Sequence, residues 1–185
     1  MTSQFTQSEI SRQRFPDIEF IQANAIEYLS TVPNDSVDRI FALDCAYHFS
    51  SRRQFLKESA KVLRSGGKIV MTDLILGDKT TVIQRFLLRI ICLLTDSPYS
   101  NYKIRKNYYR EFIDTGLVEV SMEDFSSDVF PGLVTFIRRH RREMGRFEIS
   151  GYWTGFLAFA SLLDWWWRKG IVRFVIVHAT KPKEM

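Results

Sequence analysis

An α/β fold built on a parallel sheet is what the sequence predicts, and three features of its middle carry that prediction. Residues 37–43, VDRIFAL, form a mostly apolar run, the pattern of a strand covered on both faces. A helical segment follows, opened by a capping-box pair, Ser51 and Gln54, and closed at Ser65-Gly66. Residues 68–76 then make a second apolar strand. Strand, helix and strand in that order form a right-handed crossover, which puts both strands in one parallel sheet with the helix on one face.

The remaining elements follow along the chain. Residues 18–23, IEFIQA, lie just after Pro16-Asp17 and read as the first strand present. Residues 26–29 suit a short helix, and the turn cluster Pro33-Asn34-Asp35-Ser36 leads into strand 37–43. Within the capped helix, Phe55, Leu56, Ser59, Ala60 and Leu63 share a face. Val82, Ile83, Phe86, Leu87, Ile90, Ile91 and Leu94 repeat at helical spacing, predicting an unusually apolar helix placed to cover a pocket. A short helix over 109–115 stops at Gly116. In 117–125, Val118, Val120 and Met122 alternate with Glu119, Ser121 and Glu123, as in an antiparallel edge strand. Helices around 133–143 and 156–168 and an apolar strand over 171–179 complete the chain.

With 185 residues, 45% of them hydrophobic, the chain can enclose one core as a single domain. Its net charge of +5 is spread among 21 acidic residues and permits anionic partners without requiring one. Arg138, Arg139, Arg141 and Arg142 read more readily as a solvated helix face than as a track for a nucleic acid. Cys45 and Cys92 lack CxxC spacing and sit in apolar stretches, which argues against a disulfide framework or metal site and for a reducing, cytoplasmic setting. The polar first residues suit neither a signal peptide nor an anchor. The apolar stretches are interrupted by Arg89 and Asp164, short of the ~20 apolar residues of a spanning helix. Trp165-Trp166-Trp167 cannot all face inward, which keeps peripheral membrane contact, a lipid-like ligand or a subunit contact in view.

The block over 37–76, VDRIFALDCAYHFSSRRQFLKESAKVLRSGGKIVMTDLIL, resembles the middle of a class I S-adenosylmethionine-dependent methyltransferase. The elements that follow, down to VRFVIVHATKP, resemble the C-terminal two thirds of that fold in its small-molecule and lipid branch, of the methyltransferase type 11 kind. The resemblance implies an incomplete Rossmann-like methyltransferase sheet, parallel strands plus an antiparallel edge strand, lacking the first two strands and the glycine-rich cofactor loop. It implies one N-terminally truncated domain over 1–185, with 77–110 and 126–168 as substrate-side helical insertions, and it likens FTQSEISRQR to the turn and helix after the family's second strand. Loss of those strands would cost strand 37–43 a neighbour and leave it with an unpaired edge, to be healed by 18–23, covered by a protein partner, or left as the edge of a poorly folding remnant.

The resemblance also implies the site. S-adenosylmethionine is the expected cofactor, its binding weakened or lost without the glycine-rich loop. Asn24 and Ala25 occupy the adenine-contacting position, where an amide can hydrogen-bond without charge assistance. Asp44, Cys45 and Ala46 fall beside the cofactor, and a carboxylate there favours a cationic ligand. Tyr47 and His48 face the substrate, with His48 the candidate base for an oxygen nucleophile. Arg52 either orients an anionic substrate group or neutralises Asp44 or the sheet end. Each has a structural alternative: Asp44 an Asx turn, His48 a bond to a loop carbonyl, and His178, inside an apolar strand, a core imidazole. Gly66-Gly67 lacks phosphate-loop spacing and reads as a turn. Two function classes follow: a methyltransferase acting on a small, lipid-like molecule, and a non-catalytic methyltransferase-like subunit that binds a protein partner through its exposed edge.

Overall fold

The computed structural model describes residues 14–94, 97–144 and 151–183. In chain order these form α1 (Ala25–Thr31), β1 (Val37–Ala42), a 3-10 turn (Ala46–His48), α2 (Arg52–Val62) and β2 (Leu63–Leu76). There follow α3 (Val82–Leu94), a second 3-10 turn (Tyr99–Asn101), α4 (Arg105–Ile113), β3 (Val118–Asp124), α5 (Ser126–Met144), α6 (Gly151–Arg168) and β4 (Val172–Thr180). The four strands lie in the order β1-β2-β4-β3. β1 runs parallel to β2, whereas β4 is antiparallel to both β2 and β3. The mixed sheet and the βαβ unit agree with the expected class, and β3 is the antiparallel edge.

Ser51 caps α2 as its spacing implies, accepting the backbone N–H of Gln54 at 3.2 Å. The helix ends at Val62, earlier than Ser65-Gly66, because β2 begins at once with Leu63. The glycines serve instead in a bulge. Between Val37↔Leu63 and Arg39↔Lys68 the β2 side carries three extra residues, with Gly66 at φ +74°. A Cβ on Gly67 would lie 2.8 Å from the carbonyl oxygen of Arg64, so the bulge excludes a side chain there.

The sheet's two faces are covered unequally. Ile69, Met71 and Ile75 of β2 and Val175, Val177 and Ala179 of β4 pack with Phe55 and Leu56 of α2 and Tyr108 and Phe112 of α4 in one core. On the other face, Phe130 of α5 and Leu163 and Trp166 of α6 pack around Leu76 and Val172, with Leu74 and Phe174 partly buried against them. That cover reaches only the end of the sheet where β2 finishes.

Several expectations are corrected by this arrangement. Residues 18–23 form no strand and leave β1 paired with β2 alone among the described residues. β1 is not covered on both faces: Phe41, level with Val70 on the partly covered face, is 62% exposed. His178 lies on that face beyond the reach of α5 and α6 and is exposed rather than a core imidazole. The expected apolar stripe of α3 is also mostly outward. Leu88 and Cys92 are its buried residues, while Val82, Ile83, Phe86 and Leu94 are exposed. Of the tryptophans, Trp166 is buried and Trp165 exposed. No helix among the described residues is long and apolar enough to cross a membrane. The resemblance drawn for FTQSEISRQR falls almost wholly outside the described residues.

Candidate functional site

The carboxyl ends of β1 and β2 lie side by side, and in parallel α/β sheets the crevice beyond such ends is where ligands are held. Asp44 sits there in the left-handed region, φ +54°, a conformation that Asp tolerates better than most residues. Its N–H donates to the hydroxyl of Thr72 on β2 at 2.6 Å. Tyr47 donates its hydroxyl to Asp44 Oδ1 at 3.0 Å, which leaves Oδ2 on the exposed side chain without a hydrogen bond among the described residues. No Asx turn forms at Asp44.

Cys45, half-buried, precedes the 3-10 turn, Ala46, fully buried, opens it, and His48 closes it with its ring exposed 4.4 Å from that of Tyr47. Burial, then Asp73, then Asp44 push the Cys45 thiol upward, so it is neutral near pH 7 and no nucleophile. Burial and the Asp44 carboxylate raise Tyr47 as well, keeping its hydroxyl a donor.

Asn101 holds this loop from the second 3-10 turn. Its amide nitrogen donates to the carbonyls of Phe49 at 2.7 Å and Tyr47 at 3.2 Å, and its oxygen accepts the N–H of Arg52 at 3.3 Å. Ser97 adds a bond to the Tyr47 carbonyl at 3.1 Å. A loop that is exposed on one side is thereby fixed from behind by a buried amide.

Arg52 does not neutralise Asp44, and at 1% exposure it presents no guanidinium to a ligand. It pairs with Asp73 Oδ2 at 2.8 Å and with Glu111 Oε2 at 3.2 Å, and lies 3.8 Å over the ring of Tyr108. Tyr108 donates to the same Asp73 oxygen at 2.8 Å, the N–H of Leu74 donates to Oδ1 at 2.8 Å, and Lys103 bonds Glu111. Burial pushes Asp73 above the usual carboxylate range while Arg52, Tyr108 and the Leu74 N–H pull it back. Burial opposes charge on Arg52, but Tyr108, Asp73 and Glu111 outweigh it and hold the guanidinium protonated. This charge cluster ties α2, β2 and α4 together beneath the site.

Asn24 takes a capping role. Its Oδ1 accepts the N–H groups of Ile26 and Glu27 at the start of α1, and Ala25 is the first residue of that helix. Among the described residues no hydrogen bond joins Asn24 or Ala25 to the loop of Asp44, but Ala25 packs against the same core as Cys45 and Ala46; Asp44, Cys45, Ala46, Tyr47 and His48 form one contiguous loop. No group of His, Cys, Asp and Glu able to hold a metal occurs among the described residues. Asp73, Asn101 and Glu111 are additions to the expected set. Thr72-Asp73, two polar residues inside an apolar strand, signalled one of them; nothing local marks Asn101.

The mixed sheet and its βαβ unit define the class of fold first: a Rossmann-like α/β domain. Residues 2–71 match the family described as a methyltransferase domain. Among curated proteins the chain is 33% identical over 122 residues to a sarcosine/dimethylglycine N-methyltransferase of Halorhodospira halochloris, an alignment covering 63% of this chain and 39% of that protein. The chain thus spans about two fifths of the length of that relative. Among solved structures it resembles the phosphoethanolamine N-methyltransferase 2 of Haemonchus contortus in complex with S-adenosyl-L-methionine, with TM-score 0.73, 15% identity, and coverage of 87% of this chain and 36% of that one. It also resembles a geranyl diphosphate C-methyltransferase of Streptomyces coelicolor, with TM-score 0.65, 15% identity, and coverage of 95% and 60%.

Proposed function

We propose that this chain takes part in S-adenosylmethionine-dependent methyl transfer to a small molecule, with the Asp44–His48 loop as its working surface. The observation that carries the reading is Asp44: a non-glycine residue in the left-handed region, anchored through Thr72 and Tyr47, with one carboxylate oxygen free at the carboxyl end of the parallel strand pair. Backbone held in such a region is retained where the surroundings over-determine it, often at ligand sites. The residues fit part of the cofactor. Asp44 offers negative charge to a cationic group, and Cys45 and Ala46 offer a neutral wall beside it. When bound, the cofactor supplies a methyl group carried on a sulfonium.

The chain's own contribution is placement. Asn101 and Ser97 fix the loop carbonyls and Tyr47 fixes the carboxylate of Asp44; His48, exposed at the turn, is the candidate to accept a proton at an imidazole nitrogen from an acidic nucleophile. Small acceptors are the substrate class that relatives support: sarcosine and dimethylglycine in one, phosphoethanolamine and geranyl diphosphate in others. In a calorimetric titration with S-adenosylhomocysteine, Asp44→Ala is expected to weaken binding while leaving circular dichroism unchanged, and His48→Asn to leave binding intact. Equal affinity of Asp44→Ala and the parent chain refutes the assignment.

A further inference from the structure

A cavity opens at the same end of the sheet, bounded by the end of β2, the start of β4 and the first residue of α4. It encloses about 410 Å³, within the range of small-molecule sites. Ile75, Leu76 and Val175 supply its apolar lining, and Lys79, Arg105, Lys169 and Arg173 supply four cations. Against these stand two carboxylates, Asp78 and Asp124, an excess of two positive charges. Asp124 is engaged, 3.7 Å from the Arg173 guanidinium, and Arg105 donates to the carbonyl of Met122. Lys79, Lys169 and Arg105 have no ion-pair partner among the described residues and Asp78 offers one carboxylate against them, so the net excess of two is shared by cations that lie on separate elements. Keeping like charges together around one cavity costs free energy unless an anion joins them.

The backbone shapes the cavity. Gly77 approaches Gly170 so closely that a Cβ on Gly77 would lie 1.7 Å from the Gly170 carbonyl oxygen, and Gly170 itself is at φ +64°. The N–H of Gly77 donates to the Ile171 carbonyl at 2.9 Å, locking the end of β2 to the start of β4. Lys79 and Lys169, on either side of this junction, are therefore held near one mouth.

We propose that this cavity binds the phosphoryl group of a small phosphorylated molecule, with the organic part against Ile75, Leu76 and Val175. A phosphate monoester carries close to two negative charges at neutral pH, matching the excess, and the planar guanidinium forks of Arg105 and Arg173 suit its oxygens. A cavity of this volume holds more than a bare phosphate. The anion site goes beyond methyl transfer and stands whether or not that reaction occurs; only its use as a substrate subsite rests on the function proposed above.

The test is a calorimetric titration with inorganic pyrophosphate at fixed ionic strength on three proteins: the parent chain, the Lys79→Gln/Lys169→Gln double variant, and a Lys57→Gln/Lys68→Gln control that removes the same charge elsewhere. Saturable binding by the parent and the control, at least tenfold weaker in the cavity variant, is expected. Absence of binding by the folded parent, or equal loss in both variants, overturns the site. S-adenosylhomocysteine titrated into the same samples separates the two readings, since its failure to bind leaves the pyrophosphate result standing and counts against methyl transfer alone.

Discussion

Replacing Arg52 by methionine keeps most of the side-chain volume and removes the charge at the centre of the buried cluster. Three contacts disappear, at 2.8 Å to Asp73 and at 3.2 and 3.3 Å to a single oxygen of Glu111, together with the stacking over Tyr108. Breaking a buried pair by removing one partner costs about 3–5 kcal/mol. The lower half of that range applies, because Asp73 keeps Tyr108 and the Leu74 N–H, and Glu111 keeps Lys103. A loss of about 3.5 kcal/mol in a chain of this length lowers Tm by about 10 °C. Urea unfolding followed by circular dichroism reads it as a drop in midpoint at unchanged slope. Adding Asp73→Leu to Arg52→Met should restore part of the loss, since an apolar pair needs no compensation. A loss below about 1 kcal/mol for Arg52→Met would refute the claim that this cluster holds α2, β2 and α4 together.

Asn101→Ala removes three hydrogen bonds behind the Tyr47–Phe49 loop and leaves two carbonyls without their amide; a cost of about 2–3 kcal/mol is expected by chemical denaturation, and any S-adenosylhomocysteine affinity should fall with it. Gly77→Ala drives a methyl group into the Gly170 carbonyl, which should destabilise the fold by about 3 kcal/mol or more and shows as a lowered thermal midpoint. Burial pushes the Cys92 thiol up to about 11 and, with the neighbouring charges, the Tyr102 hydroxyl up to about 12. Both pKa values are raised on folding, so their contribution is full below the unfolded values and is lost as pH rises through the folded ones. Stability should therefore fall between pH 9 and 12, and Cys92→Ala should flatten the lower part of that decline in denaturation midpoints measured across pH.

The elements legible in the sequence were those whose signals are local. Ser51 and its partner at Gln54, the apolar run of β2 and the alternation of β3 each fix their own conformation. Residues 18–23 carry strand propensity too, but a strand needs a neighbour, and the structure provides none. The apolar spacing of α3 marks a helix without telling which of its residues meet the core, and the buried Leu88 and Cys92 lie off the stripe of Val82, Ile83, Phe86, Leu87, Ile90, Ile91 and Leu94. At the site, Asp44 through His48 are contiguous and were readable as one loop. Asn101 and Glu111 come from segments more than fifty residues away, and only the folded chain brings them beneath it. Arg52 looked available beside the loop, yet two acids contributed by β2 and α4 enclose it.

The most direct measurement is the calorimetric titration of the folded chain with S-adenosylhomocysteine, run beside Asp44→Ala. Saturable binding that weakens in the variant is the predicted result. An absence of heat from a sample whose circular dichroism shows the α/β fold, or an affinity that Asp44→Ala leaves unchanged, would contradict the proposal that the Asp44–His48 loop forms part of a methyl-transfer site.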